Sequence, residues 1–375
     1  MPYPGSPHMT PLDRRRFITT ALRALAIAPL LRVGPAVADD DFRPLRTVAA
    51  EHGLSFGFAV DPAPLANDPA YQDIVAKQAG IVVPENALKW AEVHPAQDRY
   101  DFAPADRIAA FAAAHRQGMR GHTLCWHRAL PDWVERSVTP ANAESVLTQH
   151  IAAVVGRYRG RIVSWDVVNE AIQVDDGQPG GLRNAFWYRM LGPGYLDVAF
   201  RAAHRADPDA VLCYNDYGLE SDAPSGMRKR AAVLTLLREM KRRGVPVHAL
   251  GIQSHLRAVD AQSFGPGLAA FLRQVRDLGL RVYVTELDVD DSHLTGTLTE
   301  RDAIVADTYK RYLDLVLGTG TVSAVLTWGV WDSAHRTGAT PSTGPAAQRP
   351  LVFGPHGQIK PASWVVAHCL ARRAT

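Results

Sequence analysis

The sequence predicts a single-domain α/β protein folded as a (β/α)8 TIM barrel, and three observations predict it. Eight short apolar, β-branched runs recur along the 375 residues, and longer stretches of helical period lie between them. Strict alternation of strand and helix gives a parallel sheet, and eight such units fit a closed barrel better than an open sheet. Hydrophobic residues make up 47% of the chain, enough for one large core, and no composition shift marks an internal boundary. The alternative is a doubly wound sheet. It expects a glycine-rich turn after the first strand, and Phe58-Ala59-Val60-Asp61-Pro62 is not one.

Taken in order, the chain begins with a segment unlike the rest. Asp13-Arg14-Arg15-Arg16-Phe17-Ile18 precedes an apolar run from Ala21 to Leu31, and Ala36-Val37-Ala38 gives a small-residue exit. A charged start, a short apolar middle and a small exit form an export signal, and the paired arginines make it a twin-arginine type. Residues 1–38 are therefore expected to be a signal, with Met9 an alternative start, and residues 39–375 the barrel. The expected location is the periplasm or the cell exterior. Loss of residues 1–38 removes five Arg and one Asp, taking the formal net charge from +3 to −1. A near-neutral chain gives no basis for a nucleic-acid or membrane-surface partner. Three unclustered cysteines, Cys125, Cys213 and Cys369, predict buried free thiols rather than a disulfide framework.

The expected strands are Leu54–Val60, Gly80–Pro84, Arg120–Trp126, Ile162–Asn169, Ala210–Asn215, Ala249–His255, Arg281–Glu286 and Ala324–Trp328. Among the expected helices, 103–117 follows the second strand. Residues 141–157 put Val146, Ile151, Val154 and Val155 on one face, and 225–243 put Ala231, Leu234, Leu237 and Met240 near one stripe. Asp68-Pro69 and Thr139-Pro140 read as helix starts, an N-cap followed by proline.

In such barrels chemistry sits at the C-terminal strand ends. Those ends are dense in polar and aromatic residues: Glu85, Asn86, Lys89 and Trp90 after the second strand, His122, Trp126 and His127 on the third, Asn169-Glu170 on the fourth. The fifth ends in Asn215-Asp216-Tyr217, the sixth in Gln253 and His255, the seventh in Glu286 and Asp288, the eighth in Trp328. Two apolar strands that each deliver a glutamate, Glu170 and Glu286, place two carboxylates over one barrel mouth. Glycosidic cleavage needs that pair: one acid protonates the leaving oxygen, and a second carboxylate attacks the anomeric carbon or activates water. His255 and Asp288 are expected to bond each other and then Glu286, keeping it ionised. Glu170 has no Lys or Arg beside it in sequence, and a less polar surrounding would raise its pKa, as suits a general acid. Sugar rings have apolar faces and polar rims, so Trp90, Trp126, Trp328 and Tyr217 are candidate platforms among the donors. His122, His127, Glu170, His255 and Asp288 could in type hold a metal, but His122 and His127 lie five apart with no third ligand nearby, so no metal or cofactor is expected.

The blocks Pro84-Glu85-Asn86-Ala87-Leu88-Lys89-Trp90, Arg120 to His127, Trp165 to Ala171, Tyr214-Asn215-Asp216-Tyr217, Gln253-Ser254-His255-Leu256, Thr285 to Val289, Thr327-Trp328-Gly329 and Arg349-Pro350-Leu351 stand in one order. Together they resemble the family 10 glycoside hydrolases, the endo-β-1,4-xylanases. The resemblance implies that Glu170 is the acid/base and Glu286 the nucleophile of a retaining mechanism. It implies that Glu85, Asn86 and Lys89 hold the sugar next to the cleaved ring. His122, Trp126, Asn169, Gln253 and His255 would form the shell of the cleaved ring, with Trp328 its platform. It implies xylan or xylo-oligosaccharide as the substrate of an enzyme expected to act as a monomer. The alternatives are an endo-β-1,4-glucanase or mixed-specificity glycanase on the same fold, or a glycan-binding protein with impaired catalysis. Two departures stand out. Arg336 occupies a position where the family usually has Trp, and Gly218 follows Asn215-Asp216-Tyr217 where Asn is usual. A cation in place of a ring implies a changed glycone-side lid that favours substituted or acidic chains.

Overall fold

Eight parallel strands close on themselves in the computed structural model, which describes residues 41–258, 263–332 and 348–373. They are β1 (Ser55–Val60), β2 (Ile81–Pro84), β3 (Gly118–Cys125), β4 (Ser164–Asn169), β5 (Val211–Asp216), β6 (Ala249–Ile252), β8 (Arg281–Asp290) and β9 (Val322–Thr327). Each pairs with the next, β6 pairs with β8, and β9 returns to β1. A short β7 (His255–Arg257) adds to the far end of β8, with His255 opposite Asp288. From Phe42 onward the described residues form one compact unit. The expected signal over residues 1–38 and Arg336 lie outside the described residues.

The strands read as continuous apolar runs because both of their faces are covered. One face, with Phe56, Phe58, Val82, Trp165, Leu212, Leu250 and Val284, packs under the helices. The other is a separate, smaller interior set of Ala59, Ile81, Val83, Cys213, Ala249, Tyr283, Ala324 and Leu326. Into that interior the chain also buries Arg120 and Asp166, which are ion-paired, with the guanidinium 5.3 Å from the Tyr283 ring centroid. A buried ion pair needs all its hydrogen-bonding groups matched. Here Ser164 Oγ accepts from Arg120 Nε at 3.0 Å and Asp166 Oδ2 faces His122 Nδ1 at 3.0 Å, while Arg120 Nη1 is buried without a hydrogen-bond partner among the described residues. Gly121 is glycine for a packing reason: an added Cβ would stand 2.1 Å from the Trp165 ring.

The departures from expectation have local causes. The sixth run breaks after Ile252 because Ser254 takes a left-handed backbone (φ 64°), and its N–H goes to the buried Glu220 carboxylate instead of a neighbouring strand. β8 runs on past Glu286 to Asp290, since β7 gives it a partner there. Asp68 caps the helix Pro69–Gln78 as expected, but Thr139-Pro140 does not start one. The Asn142 side chain accepts the Thr139 N–H at 2.7 Å, the segment turns, and the helix begins at Ala143. That helix buries Leu147, Ile151, Val154 and Val155, with Val146 at its margin, and the helix Pro224–Arg242 buries Val233, Leu234, Leu237 and Met240 while Ala231 is exposed. Cys125, Cys213 and Cys369 are buried free thiols.

Candidate active site

Past the last paired residues, the barrel's hydrogen bonding continues round its rim. Glu85 N–H donates to Val60 O (3.0 Å), Glu170 N–H to Asn215 O (2.8 Å), Gln253 N–H to Asp216 O (3.0 Å), Glu286 N–H to Gln253 O (2.9 Å) and Trp328 N–H to Leu287 O (3.2 Å). Each chemically active residue is thus pinned by the strand before or after it. Register shifts in β3, β4 and β8, near His122, Asp166 and Glu286, re-aim side chains at the same level. Glu170 pays a conformational cost for its position. Its φ is 59°, a left-handed value uncommon for a residue with a Cβ, and it persists because both flanking peptide groups are bonded.

The two carboxylates are three steps apart round the ring of eight, on β4 and β8, rather than directly across it. The intervening strand ends, β5 and β6, supply the amides that join them. Asn215 Nδ2 donates to Glu286 Oε1 at 2.8 Å and to Asn169 Oδ1 at 3.0 Å. Gln253 Nε2 donates to Glu170 Oε1 at 3.0 Å, and Asn169 Nδ2 lies 3.3 Å from the same oxygen. Thr285 Oγ1 fixes Asn215 by donating to its Oδ1 at 2.8 Å. One connected set of amides therefore sets the relative position of both acids.

Around Glu286 the expected triad is present. His255 Nε2 lies 3.1 Å from Glu286 Oε2 and its Nδ1 lies 2.8 Å from Asp288 Oδ2. Burial alone would push the His255 pKa down, but Asp288 and then Glu286 outweigh it and hold the ring well above its ordinary range. Both nitrogens then carry protons, and an imidazolium stands between two carboxylates. Glu286 thus meets a cation at one carboxylate oxygen and an amide N–H at the other.

Glu170 contradicts the expectation of a less polar setting. Burial pushes its pKa up, but the Gln253 amide, the nearby Trp126 indole N–H and the positive charge of Arg183 outweigh this and leave it below the usual carboxylate range. The Trp126 indole Nε1, which forms no hydrogen bond of normal geometry, and His127 Nδ1, 3.9 Å from Glu170 Oε2, come from the end of β3. Burial, then Arg183, push the His127 pKa down to about 4, so its ring is neutral at neutral pH. The sequence neighbours misled because groups distant in sequence, Gln253 first and Arg183 last, reach Glu170 through the fold.

The remaining expected residues meet at the same mouth, with two corrections. Lys89 Nζ donates to Asn86 Oδ1 at 2.7 Å and sits 5.4 and 5.8 Å from the ring centroids of Trp126 and Trp328. Burial lowers the Lys89 pKa against the opposing pull of Glu286, Glu85 and Glu170. Trp328, half-buried, packs edge-on against His122 (5.2 Å) and His255 (6.4 Å), which leaves it placed as a floor. Trp90 is not a platform. It is 3% exposed and stacks on His150 at 3.6 Å and Trp187 at 5.1 Å within the helical layer. Tyr217 is on the rim, but Lys229 Nζ sits 3.5 Å from its ring centroid and its hydroxyl lies between Arg183 and Gln173, so it is held rather than open. Gly218 has φ 69°, a conformation that Gly or Asn adopts most readily, which accounts for glycine at a position where Asn is usual.

From sequence Asn215 is one of the polar strand-end residues but carries no assigned role, and Asp166 and Arg183 carry none either. Arg183, away from the strand ends, has no positional signal. Gly251 is a further dependency: a Cβ there would stand 2.2 Å from Asn215 Oδ1 and 3.0 Å from Thr285 Cγ2. Gly251→Ala is expected to push the Asn215 amide off Glu286, costing about 1–3 kcal/mol in stability from overpacking. Displacement of that order at the reacting groups lowers kcat by about 100-fold. Urea unfolding and steady-state kinetics on the same sample check both numbers.

The sequence pattern of one family, glycosyl hydrolase family 10, matches residues 44–369. Endo-1,4-beta-xylanase B of Thermotoga neapolitana is 34% identical over 295 residues, spanning 77% of this chain and 81% of that one. Native xylanase 10B from Thermotoga maritima superimposes with a TM-score of 0.77 at 32% identity, covering 87% of this chain and 98% of that one. Xylanase 10B from Thermotoga petrophila RKU-1, solved in complex with xylobiose, gives a TM-score of 0.76 at 32% identity over 87% and 97% of the two chains.

Proposed function

Because the chain belongs to glycosyl hydrolase family 10, we propose that it is an endo-1,4-β-xylanase that cuts β-1,4-xylosidic bonds within xylan by a retaining double displacement. One observation supports the assignment of roles most strongly: Glu170, directly after β4, and Glu286, on β8, are joined by the amides of Asn169, Asn215 and Gln253. In the first step a Glu286 oxygen bonds to the anomeric carbon as the glycosidic bond breaks, and Glu170 gives its proton to the leaving oxygen. In the second, the Glu170 carboxylate takes a proton from water, the water oxygen bonds to the anomeric carbon, and Glu286 is released. Two inversions at one carbon give retention. Through the first step Glu286 gives up its charge, and His255 keeps Asp288 as its counter-ion at 2.8 Å.

Lys89, Asn86, Glu85 and His122 offer the donors and acceptors for the ring hydroxyls, with Trp328 below and Trp126 beside. The xylobiose bound by the Thermotoga petrophila relative supports a xylo-oligosaccharide as the ligand. The Arg-Arg-Arg-Phe-Ile start, apolar run and small exit within residues 13–38 support export through a twin-arginine route, with the enzyme acting outside the cytoplasm.

The test is release of new reducing ends from β-1,4-xylan and from a soluble cellulose derivative. Release from xylan well above that from the cellulose derivative is the expected result. Release from the cellulose derivative alone would keep the mechanism and overturn the substrate.

A further inference from the structure

Arg183 is an arginine of the site that, among the described residues, forms no ion pair. It lies in the segment after β4, half-buried. Its Nε donates to the Glu170 main-chain carbonyl at 2.8 Å, and its NH2 group donates to the Tyr217 hydroxyl at 2.9 Å. Among the described residues no carboxylate lies within ion-pair distance of its guanidinium, whereas Arg120, Arg230, Arg301 and Arg349 are each paired. With Trp126, His127, Asn169 and Glu170 it lines one small cavity beside the acid.

From this placement we infer that Arg183 is a positioning residue for the acid/base: it locks the left-handed turn at Glu170 and holds a positive charge near its carboxyl group without forming an ion pair. The inference rests on the reading of Glu170 as acid/base. The backbone part follows from geometry. A residue with a Cβ at φ 59° needs its carbonyl fixed, and Arg183 Nε fixes it, while the N–H is fixed by Asn215 O. The planar guanidinium reaches the carbonyl and the phenol together, a geometry that a lysine ammonium does not reproduce.

The electrostatic part sets a direction. Facing Glu170 are Trp126 and neutral His127 from the end of β3, Arg183 from the segment after β4, Gln253 after β6 and Lys89 after β2, while Arg128 and Asp176 act on His127. Arg183 favours the carboxylate over the carboxylic acid, and it also favours neutral His127 over its cation. The general acid must hold a proton at the start of the reaction. Arg183 therefore limits activity on the alkaline side, and removing it extends that limit upward. The same charge favours Glu170 as the base of the second step, where the carboxylate form is needed. Arg183 thus trades acid strength retained at high pH for a well-placed base.

The test uses the full chain as wild type, Arg183→Met and Arg183→Lys. The pH profiles of kcat/KM are taken on a phenyl and a dinitrophenyl β-xylobioside. The first leaving group needs protonation and the second does not. For Arg183→Met the alkaline limb is expected to move up by roughly half to one pH unit. Activity on the phenyl substrate is expected to fall about tenfold or more relative to the dinitrophenyl substrate, because only the former depends on the acid. Arg183→Lys, which keeps the charge and loses the fork, is expected to leave the limb in place while lowering kcat. An unmoved limb in Arg183→Met, or equal losses on both substrates, overturns the proposal and leaves Arg183 a structural residue. A wild-type chain that cleaves aryl cellobiosides but not aryl xylobiosides overturns the substrate assignment alone, and the same comparison on cellobiosides then decides the role of Arg183.

Discussion

Glu286→Ala is expected to abolish xylan hydrolysis, with kcat lowered by about four orders of magnitude or more, as for loss of a covalent nucleophile. The loss should be the same for good and poor leaving groups, since no glycosyl-enzyme forms with either. The fold should not suffer in proportion. Glu286, Glu170, Glu85 and Asp288 crowd one mouth, where His255, Lys89 and Arg183 offset them in part. Deleting one carboxylate relieves repulsion, and His255 keeps Asp288 as its partner. The melting temperature is therefore expected to stay level or to rise, as when a strained functional group is removed. Calorimetry alongside kinetics checks the pair of outcomes. A fall in stability as large as the fall in activity would place Glu286 in the framework rather than the chemistry.

Glu170→Ala is expected to show a loss that depends on the leaving group. With xylan or a phenyl xylobioside the leaving oxygen needs a proton, and kcat/KM should fall by about 100- to 10,000-fold. With a dinitrophenyl xylobioside the first step needs no acid and should proceed at close to the wild-type rate. The second step lacks its base, so the glycosyl-enzyme accumulates and a burst precedes slow turnover. Azide, a nucleophile that needs no base, is expected to restore turnover and give a glycosyl azide of retained configuration. Pre-steady-state measurement of dinitrophenolate release, with and without azide, reads all three. An equal loss on both substrates, with no azide effect, would remove Glu170 from the acid/base role.

The barrel was legible in the sequence because its strands are apolar on both faces and its helices carry one apolar stripe. Phe56 and Ala59, two faces of β1, both read as strand because each meets a core. Element ends were less legible. The break at Ser254 depends on Glu220, thirty-four positions earlier, and the late start of the helix at Ala143 on the Asn142 side chain. The site was legible where function sits on strand ends, since Glu170, Gln253, His255, Glu286 and Trp328 follow from period and position. What failed was inference from neighbours along the chain. Trp90 adjoins Lys89, yet it turns into the helical layer against His150. Glu170 lacks a basic neighbour, yet Arg183 returns to it through space. Charge acts through distance in the fold, and sequence spacing does not report that distance.

The account rests on a covalent intermediate at Glu286, and trapping it is the most direct test. The full chain would be treated with a fluorinated xylobioside carrying an activated leaving group, digested, and the labelled peptide identified by mass spectrometry. The predicted result is one added glycosyl unit on the peptide containing Glu286, on the Glu286 carboxylate. A label on another carboxylate, or turnover of xylan by a chain that never accumulates a label, would contradict it.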